Sequence, residues 1–464
     1  MLVARGDDGG PAPPAGAHSE VCAHRRRTAD SRPAPHRSHG TPPARHVVRP
    51  DDHLTLVPGA TPAPTAARAG SPRTHGTAGP GAPMRRLRTA LPTAVAAATA
   101  ALVLVAGPAV AHGGKPSPRP PTVTDVATGL VTPLSLAVGP RGTTYVTQNF
   151  PGLLTAVGRD GTPTVLYASP DGGEVGGVSY DGRRITFTET QLGEEGPVAS
   201  EVSTLRTDRR GNPTGAPVVL ADTFAYEQAN NPDGGVTYGL RDTDPACVAQ
   251  VPASPVPPRY TGIADSHPYA TTSSHGTTYV ADAGANAILS VSDRGRVRTV
   301  AVLPAQPAVV TAEAAAGLGW PACVVGQTYW FEPVPTDVEV GPRGVLYVTT
   351  LPGGPEDASL GARGAVYTVD PWRGSVRPVA SGLLGATNLA VSGDGTVYVA
   401  ELFGGKISQV GKRGPSTLVE VPLPAGLEWD GKGLLATTNA LPADETTPPD
   451  GHLVRIDLGR HRGR

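Results

Sequence analysis

Downstream of residue 122 the chain alternates apolar and polar positions in short runs, each closed by a turn carrying Gly, Asp or Pro. One phrase keeps returning. It reads Leu136-Ala-Val-Gly-Pro-Arg-Gly-Thr-Thr-Tyr145-Val146, then Val338-Glu-Val-Gly-Pro-Arg-Gly-Val-Leu-Tyr347-Val348, then Leu389-Ala-Val-Ser-Gly-Asp-Gly-Thr-Val-Tyr398-Val399. A partial copy, His275-Gly-Thr-Thr-Tyr279-Val280, keeps the second half. Period-two runs of this length read as half-buried antiparallel strands. Their recurrence reads as a repeat architecture in which each unit is one small sheet. Aligning the chain on the Tyr-Val strand yields six units. The last has only three strands of its own, while Thr122–Leu130 resembles the outermost-strand segment Val376–Leu383. The pattern therefore predicts an all-β, six-bladed β-propeller of four-stranded antiparallel blades, the last blade closed by the N-terminal strand. Such closure removes an unpaired edge.

The alternation is missing upstream of the repeats and lapses again within them. Residues 1–83 are rich in Ala, Pro, Arg, His and Gly and have no apolar period; they read as a disordered upstream extension preceding a true start at Met84. Residues 84–111 have a basic start (Arg85-Arg86-Leu87-Arg88), an uncharged apolar stretch over Ala94–Ala106, and a small-x-small ending at Ala111. That order is a secretory signal peptide, followed by a Pro-rich spacer over 112–121. Within the repeat body, which spans 122–458, insertions are expected at about 222–265 and 304–335. Long insertions in a compact domain often serve as binding loops. Residues 459–464 form a basic tail.

Composition then narrows the function classes. Residues 1–111 hold 13 Arg against 6 acidic residues, which leaves the remainder of the chain with eight more acidic than basic residues. An acidic body lacks the basic footprint of a nucleic-acid binder. The apolar run of the leader is too short for a membrane anchor, and a secreted monomer is expected. Of three cysteines, only Cys247 and Cys323 remain after the leader, one in each insertion. In an exported chain such a pair is expected to bridge.

Candidate chemistry comes from the residues that open each innermost strand, because these line the channel mouth of a propeller. The alignment places Ser135, Val175, Tyr269, Asp337, Asn388 and Gly426 there, with Glu174 and His267 adjacent. Asp337 and Asn388 could share Ca2+ or another divalent cation through oxygen ligands. Glu401 belongs to a second ring at the ends of the next strands, with Gln148, Glu189, Asp282 and Asn439. No Gly-x-Ser-x-Gly elbow, His-Glu-x-x-His pair or Cys-x-x-Cys pair occurs.

Several segments carry a family likeness: Phe224-Ala-Tyr-Glu-Gln-Ala-Asn-Asn-Pro-Asp-Gly234, Asp265-Ser-His-Pro-Tyr269, Phe331-Glu-Pro-Val-Pro-Thr-Asp-Val-Glu-Val340 and Leu351-Pro-Gly-Gly-Pro-Glu-Asp357. Together with Tyr279-Val-Ala-Asp-Ala-Gly-Ala-Asn-Ala-Ile288, part of which looks like an NHL repeat, they make residues 122–458 resemble the ScyD/ScyE family of exported bacterial propeller proteins. That resemblance implies fold and export, with no established reaction. The expected function is binding or scaffolding, with a small-molecule or protein ligand at the channel mouth under the insertions. Tyr269, Asp337, Asn388, His267, Glu174 and Glu401 are the candidate contacts. The alternative is a metal-dependent lactonase or esterase of the gluconolactonase-like kind. A quinone-dependent sugar dehydrogenase fits less well, since no suitable His-Arg set is visible.

Overall fold

The repeated phrase has a steric reason, visible in the computed structural model. A Cβ on Gly139 would stand 2.7 Å from the Tyr145 ring, and one on Gly341 would stand 2.2 Å from the Tyr347 ring. The turn glycine thus vacates the space into which the tyrosine of Tyr-Val folds back. The turn itself is closed by Gly139 N–H to the Thr143 carbonyl at 2.9 Å and by Gly341 N–H to the Val345 carbonyl at 2.8 Å. The valine that follows, at 146, 348 and 399, is fully buried.

The structure describes residues 119–459, apart from 195, 254–255, 356–357 and 443–445. The upstream extension, the signal peptide, most of the spacer and residues 460–464 of the tail lie outside the described residues. No helix among the described residues is long and apolar enough to cross a membrane.

Seven four-stranded antiparallel sheets make up a propeller-like, all-β fold. Six of them follow the repeat. Their innermost strands are Ser135–Val138 (sheet I), Glu174–Asp181 (II), Pro268–Ser274 (III), Pro335–Val340 (IV), Ala386–Val391 (V) and Leu427–Trp429 (VI). Each touches the next in that order, and VI touches I. Sheet VI takes its outer strand from the start of the body: Thr122–Leu130 pairs antiparallel with Gly451–Asp457, with Thr122 opposite Asp457 and Leu130 opposite Gly451.

The seventh sheet is a departure from the sequence reading, which saw no strand alternation in the two insertions. Arg259–Thr261, Thr237–Gly239, Thr328–Phe331 and Gln306–Val309 pair in that order, so each insertion contributes two strands. The strands are only three or four residues long, too short to show a period. What holds the insertions is a separate apolar cluster that includes Leu240, Val251, Trp320, Val324, Tyr329 and Phe331. The expected Cys247–Cys323 disulfide crosses it, with the Cα atoms 5.9 Å apart.

Candidate functional site

Sheets III, IV and V begin their inner strands with a register break, between Pro268 and Ala270, Pro335 and Asp337, and Ala386 and Asn388. An extra residue at such a break bends the strand and re-aims a side chain. The residues freed here are Tyr269, Thr336 and Thr387, and all three line one cavity of about 170 Å³. The wall is mostly apolar, with Leu134, Phe150, Leu402, Phe403 and Leu441 contributing. Thr336 and Thr387 spend their hydroxyls on the next sheet, donating to the Ala386 carbonyl at 2.9 Å and the Ala425 carbonyl at 3.2 Å. Tyr269 and His267 are the other polar residues of the lining.

His267 sits at the junction of this cup with a second cavity of about 210 Å³. The insertion sheet walls that cavity through Tyr260, Tyr329, Phe331 and Glu332. The imidazole is about one-fifth exposed, and its Nε2 lies 3.0 Å from Glu174 Oε2. Asn149 Nδ2 donates to the other oxygen, Oε1, at 3.1 Å. Burial alone would raise the Glu174 pKa, but the hydrogen bond and charge of His267 and the Asn149 amide outweigh it, so the carboxyl stays below the usual range. An ionised Glu174 only accepts, so His267 Nε2–H is the donor of this contact. The ring also meets Tyr269 edge-on, with centroids 5.3 Å apart, and the His267 backbone N–H is anchored to Asp282 Oδ1 at 2.7 Å. The result is an oriented histidine–carboxylate pair in the wall of an apolar cup.

The other expected contacts sit elsewhere. Asp337 and Asn388 share a register position, but the equivalent residue of sheet III is Ala270; Tyr269 is one residue off, level with Thr336 and Thr387. Asp337 Oδ2 accepts the Leu389 N–H at 2.8 Å, and Asn388 Oδ1 accepts the Leu427 N–H at 2.8 Å. Each side chain thus latches the following inner strand. Glu401 is 1% exposed and outside the cup; its Oε2 accepts the Leu384 N–H at 2.8 Å and its Oε1 the Ser408 hydroxyl at 2.5 Å.

Sequence reasoning missed Asn149, Phe150 and Phe403. A signal was present, because Gln148-Asn149-Phe150 and Glu401-Leu402-Phe403 leave the second strands of sheets I and V in the same register. It also missed a carboxyl group in the inner strands. Burial, with repulsion from Asp337, pushes Glu428 up to about 8, and burial, with repulsion from Glu428 and Asp337, raises Glu339 well above the carboxylate range. Burial pushes Asp337 itself up to about 7 against the hydrogen bond from Leu389.

No protein-family profile and no curated protein matches the chain. Among solved structures it is similar to the PQQ-bound aldose sugar dehydrogenase of Streptomyces coelicolor (15% identity, TM-score 0.46, covering 74% of this chain and 99% of that one). It is similar to the apo soluble aldose sugar dehydrogenase of Escherichia coli (11%, 0.45, 73% and 99%). A catalytically inactive virginiamycin B lyase of Staphylococcus aureus, solved with quinupristin, also matches (13%, 0.41, 73% and 99%). At these identities the likeness concerns the propeller-like fold and transfers no activity.

Proposed function

We propose that this chain is an exported, six-bladed, ScyD/ScyE-like propeller that captures a small, largely apolar molecule at the mouth of its channel. In this reading the six inner strands in cyclic order are the blades, and the insertion sheet is an added wall over the mouth. The observation that carries the reading is the cup itself. Leu134, Phe150, Phe403 and Leu441 give it an apolar wall, and the His267–Glu174 pair supplies one oriented polar contact. Apolar walls with few placed polar groups are the usual make-up of small-ligand sites, and a cavity of this order suits a single ring. The disulfide across the insertions fits an oxidising compartment, in keeping with the leader over 84–111.

The lactonase alternative keeps one supporting feature. A histidine oriented by a carboxylate is the arrangement of a general base. It loses another, since Asp337 Oδ2 and Asn388 Oδ1, on the two residues expected to share a cation, each accept a backbone N–H of the following strand. The test is calorimetric titration of the mature protein with single-ring aromatic alcohols and aryl lactones, alongside Phe403→Asp and His267→Ala. Capture without turnover, lost by at least about tenfold in Phe403→Asp while the melting temperature holds, supports a binder. Lactone turnover that vanishes in His267→Ala with capture unchanged replaces the binder by a hydrolase.

A further inference from the structure

The repeated phrase builds the same slot in sheets I, IV and V, and in two of them the neighbouring sheet fills it. In sheet I the cover is Gly211, from the long turn 207–217 between the outer strands of sheet II. It packs on Pro140, and its carbonyl accepts the Tyr145 hydroxyl at 2.9 Å. In sheet V the tyrosine, Tyr398, is fully buried and stacks on Trp429 of sheet VI with ring centroids 6.3 Å apart. In sheet IV the corresponding Tyr347 is half-buried, and its hydroxyl has no hydrogen-bond partner among the described residues. The outer strands of sheet V, Lys406–Gly411 and Gly414–Glu420, are joined by Lys412 and Arg413 alone, and none of these residues reaches the slot. A cavity of about 650 Å³ takes the place of the cover.

The inner strands of sheets IV and V start at the cup and end at this slot, so the cavity opens at the far end of the two sheets. Its lining carries Arg343, Arg373 and Arg377, all three exposed. None of the three guanidinium groups forms an ion pair or a hydrogen bond among the described residues. The two carboxylates of the lining serve their own hairpins. Asp370 Oδ1 accepts the backbone N–H of Trp372 and Arg373 at 2.9 and 3.0 Å, and Asp394 Oδ1 accepts that of Thr396 at 3.1 Å. Trp372 stands at the edge of the groove. It is 75% exposed, and the tip of its ring lies 3.1 Å from where a Cβ on Gly344 would be. Folding gains little from an indole left in water, nor from three arginines without partners.

We propose that this groove binds an acidic saccharide, a short run of sugar rings bearing carboxylate or sulfate groups, separately from the cup and independently of the ligand-capture reading. The planar guanidinium fork matches the paired oxygens of such groups and is the side chain of choice for them. The exposed indole offers a flat apolar face to the C–H side of a sugar ring. Between them the hydroxyls of Tyr347, Thr368 and Ser375 line the space, where each can accept from or donate to a ring hydroxyl. The volume is that of a drug-sized ligand and exceeds what a lone inorganic anion needs. A nucleic acid is set aside because the chain downstream of residue 111 has more acidic than basic residues, so no basic footprint continues beyond the three arginines. Bound there, the saccharide would bridge the hairpins of sheets IV and V and do for Tyr347 what Gly211 does for Tyr145.

The experiment is calorimetric titration of the mature chain with trigalacturonate, a heparin tetrasaccharide, neutral maltotriose and inorganic sulfate, at low and at physiological salt. The expected result is binding of at least one acidic oligosaccharide, weakened by salt, with maltotriose weaker by at least about tenfold. Which of the two binds tells carboxylate from sulfate. Arg373→Ala combined with Arg377→Ala should weaken that binding by at least about tenfold and leave the melting temperature unchanged, since neither side chain has a partner to lose. Trp372→Ala should weaken the oligosaccharide and not sulfate. Arg209→Ala, at the filled slot of sheet I, and Phe403→Asp, at the cup, should change neither. The proposal is overturned if neither acidic oligosaccharide binds at low salt, or if maltotriose or sulfate binds as tightly as they do. It is overturned equally if Arg209→Ala or Phe403→Asp weakens binding as much as the double arginine variant, which would place the site elsewhere.

Discussion

The ring and the insertions solve the same problem, buried polar groups, in opposite ways. In the ring each sheet satisfies the next. Ser135 accepts from Val178, Asp337 from Leu389 and Asn388 from Leu427, each side chain reaching one inner strand along. Sequence repetition makes these latches available at recurring register positions. At the insertions nothing repeats. There the chain buries an apolar cluster, a disulfide and the carboxyls of Glu227 and Asp233, whose pKa values burial raises. The ring is thus a scaffold latched sheet to sheet, while the insertions are held by their own apolar cluster and disulfide.

If the ring is self-sufficient only when closed, removing its closing strand should have the largest effect of any change. Deleting residues up to Leu130 exposes the Gly451–Asp457 edge and strips Ala127 and Leu130 from the cluster they share with Leu136, Val146, Leu435 and Leu453. We expect loss of soluble protein or of the cooperative transition, followed by calorimetry and light scattering. A truncated chain that melts like the parent would break the contrast with the insertions at its root.

Reduction of the disulfide tests the other side. The bridge closes a separation of 76 residues, worth about 4 kcal/mol in the chain-entropy picture and less where the reduced state keeps structure. Cys247→Ser with Cys323→Ser should loosen the insertion sheet first. Hydrogen exchange is expected to rise over 237–261 and 306–331 while sheets I to VI keep their protection. Equal loss of protection in both regions would mean that the insertions are part of the ring's cooperative unit.

The inner-strand carboxyls give the ring one cost that depends on pH. Asp337 is raised to about 7 and Glu428 to about 8. Each is held at full stability below the unfolded carboxyl value near pH 4. Each loses that contribution as pH rises through its folded value, because the native state then has to carry the buried charge. The melting temperature should therefore decline between about pH 4 and pH 8, with Glu428→Gln flattening the slope. Asp337→Asn can still accept from Leu389 and should cost little, whereas Asp337→Ala leaves that N–H unmet, for about 1–3 kcal/mol. A parent whose stability rises across this window would contradict the assignment.

What the sequence made legible follows the same division. The Gly-to-Tyr phrase encodes a steric fit between residues six apart, as Gly139 and Tyr145 show, so the repeated sheets and the partner of the N-terminal strand could be read by eye. The disulfide was legible because two cysteines leave one pairing. Tyr269 was set level with Asp337, one residue off, because the opening of sheet III has no letters in common with Asp337 or Asn388 to fix its register; the break itself is shared by sheets III, IV and V. The insertion sheet was missed because its strands are as short as three residues. Glu227 and Asp233 were in view as part of a family-like segment, but that both are fully buried beside the insertion sheet is visible only in coordinates.

The smallest expected effect sharpens the comparison at the place where both regions meet. Glu174 belongs to the ring and His267 to the lead-in behind the insertion, and their contact of 3.0 Å spans the two. Unlike the raised carboxyls, Glu174 is depressed, because the bonds from His267 and Asn149 overcome its burial. The sign is opposite. Its contribution is present above the unfolded value near pH 4.5 and is lost as pH falls through the lower folded value. Glu174→Gln should remove that acid-side loss and cost about 1 kcal/mol near neutrality, the difference between a hydrogen bond to a charged group and one to a neutral amide. If the pair is only a clasp between ring and insertion, Glu174→Gln will move the acid limb of the stability profile and leave ligand capture at the cup untouched. If it orients His267 for a ligand, the same change will weaken capture as well, and the loss will follow the tautomer: Glu174→Asp, which keeps a carboxylate, will restore part of it, while Glu174→Ala will not.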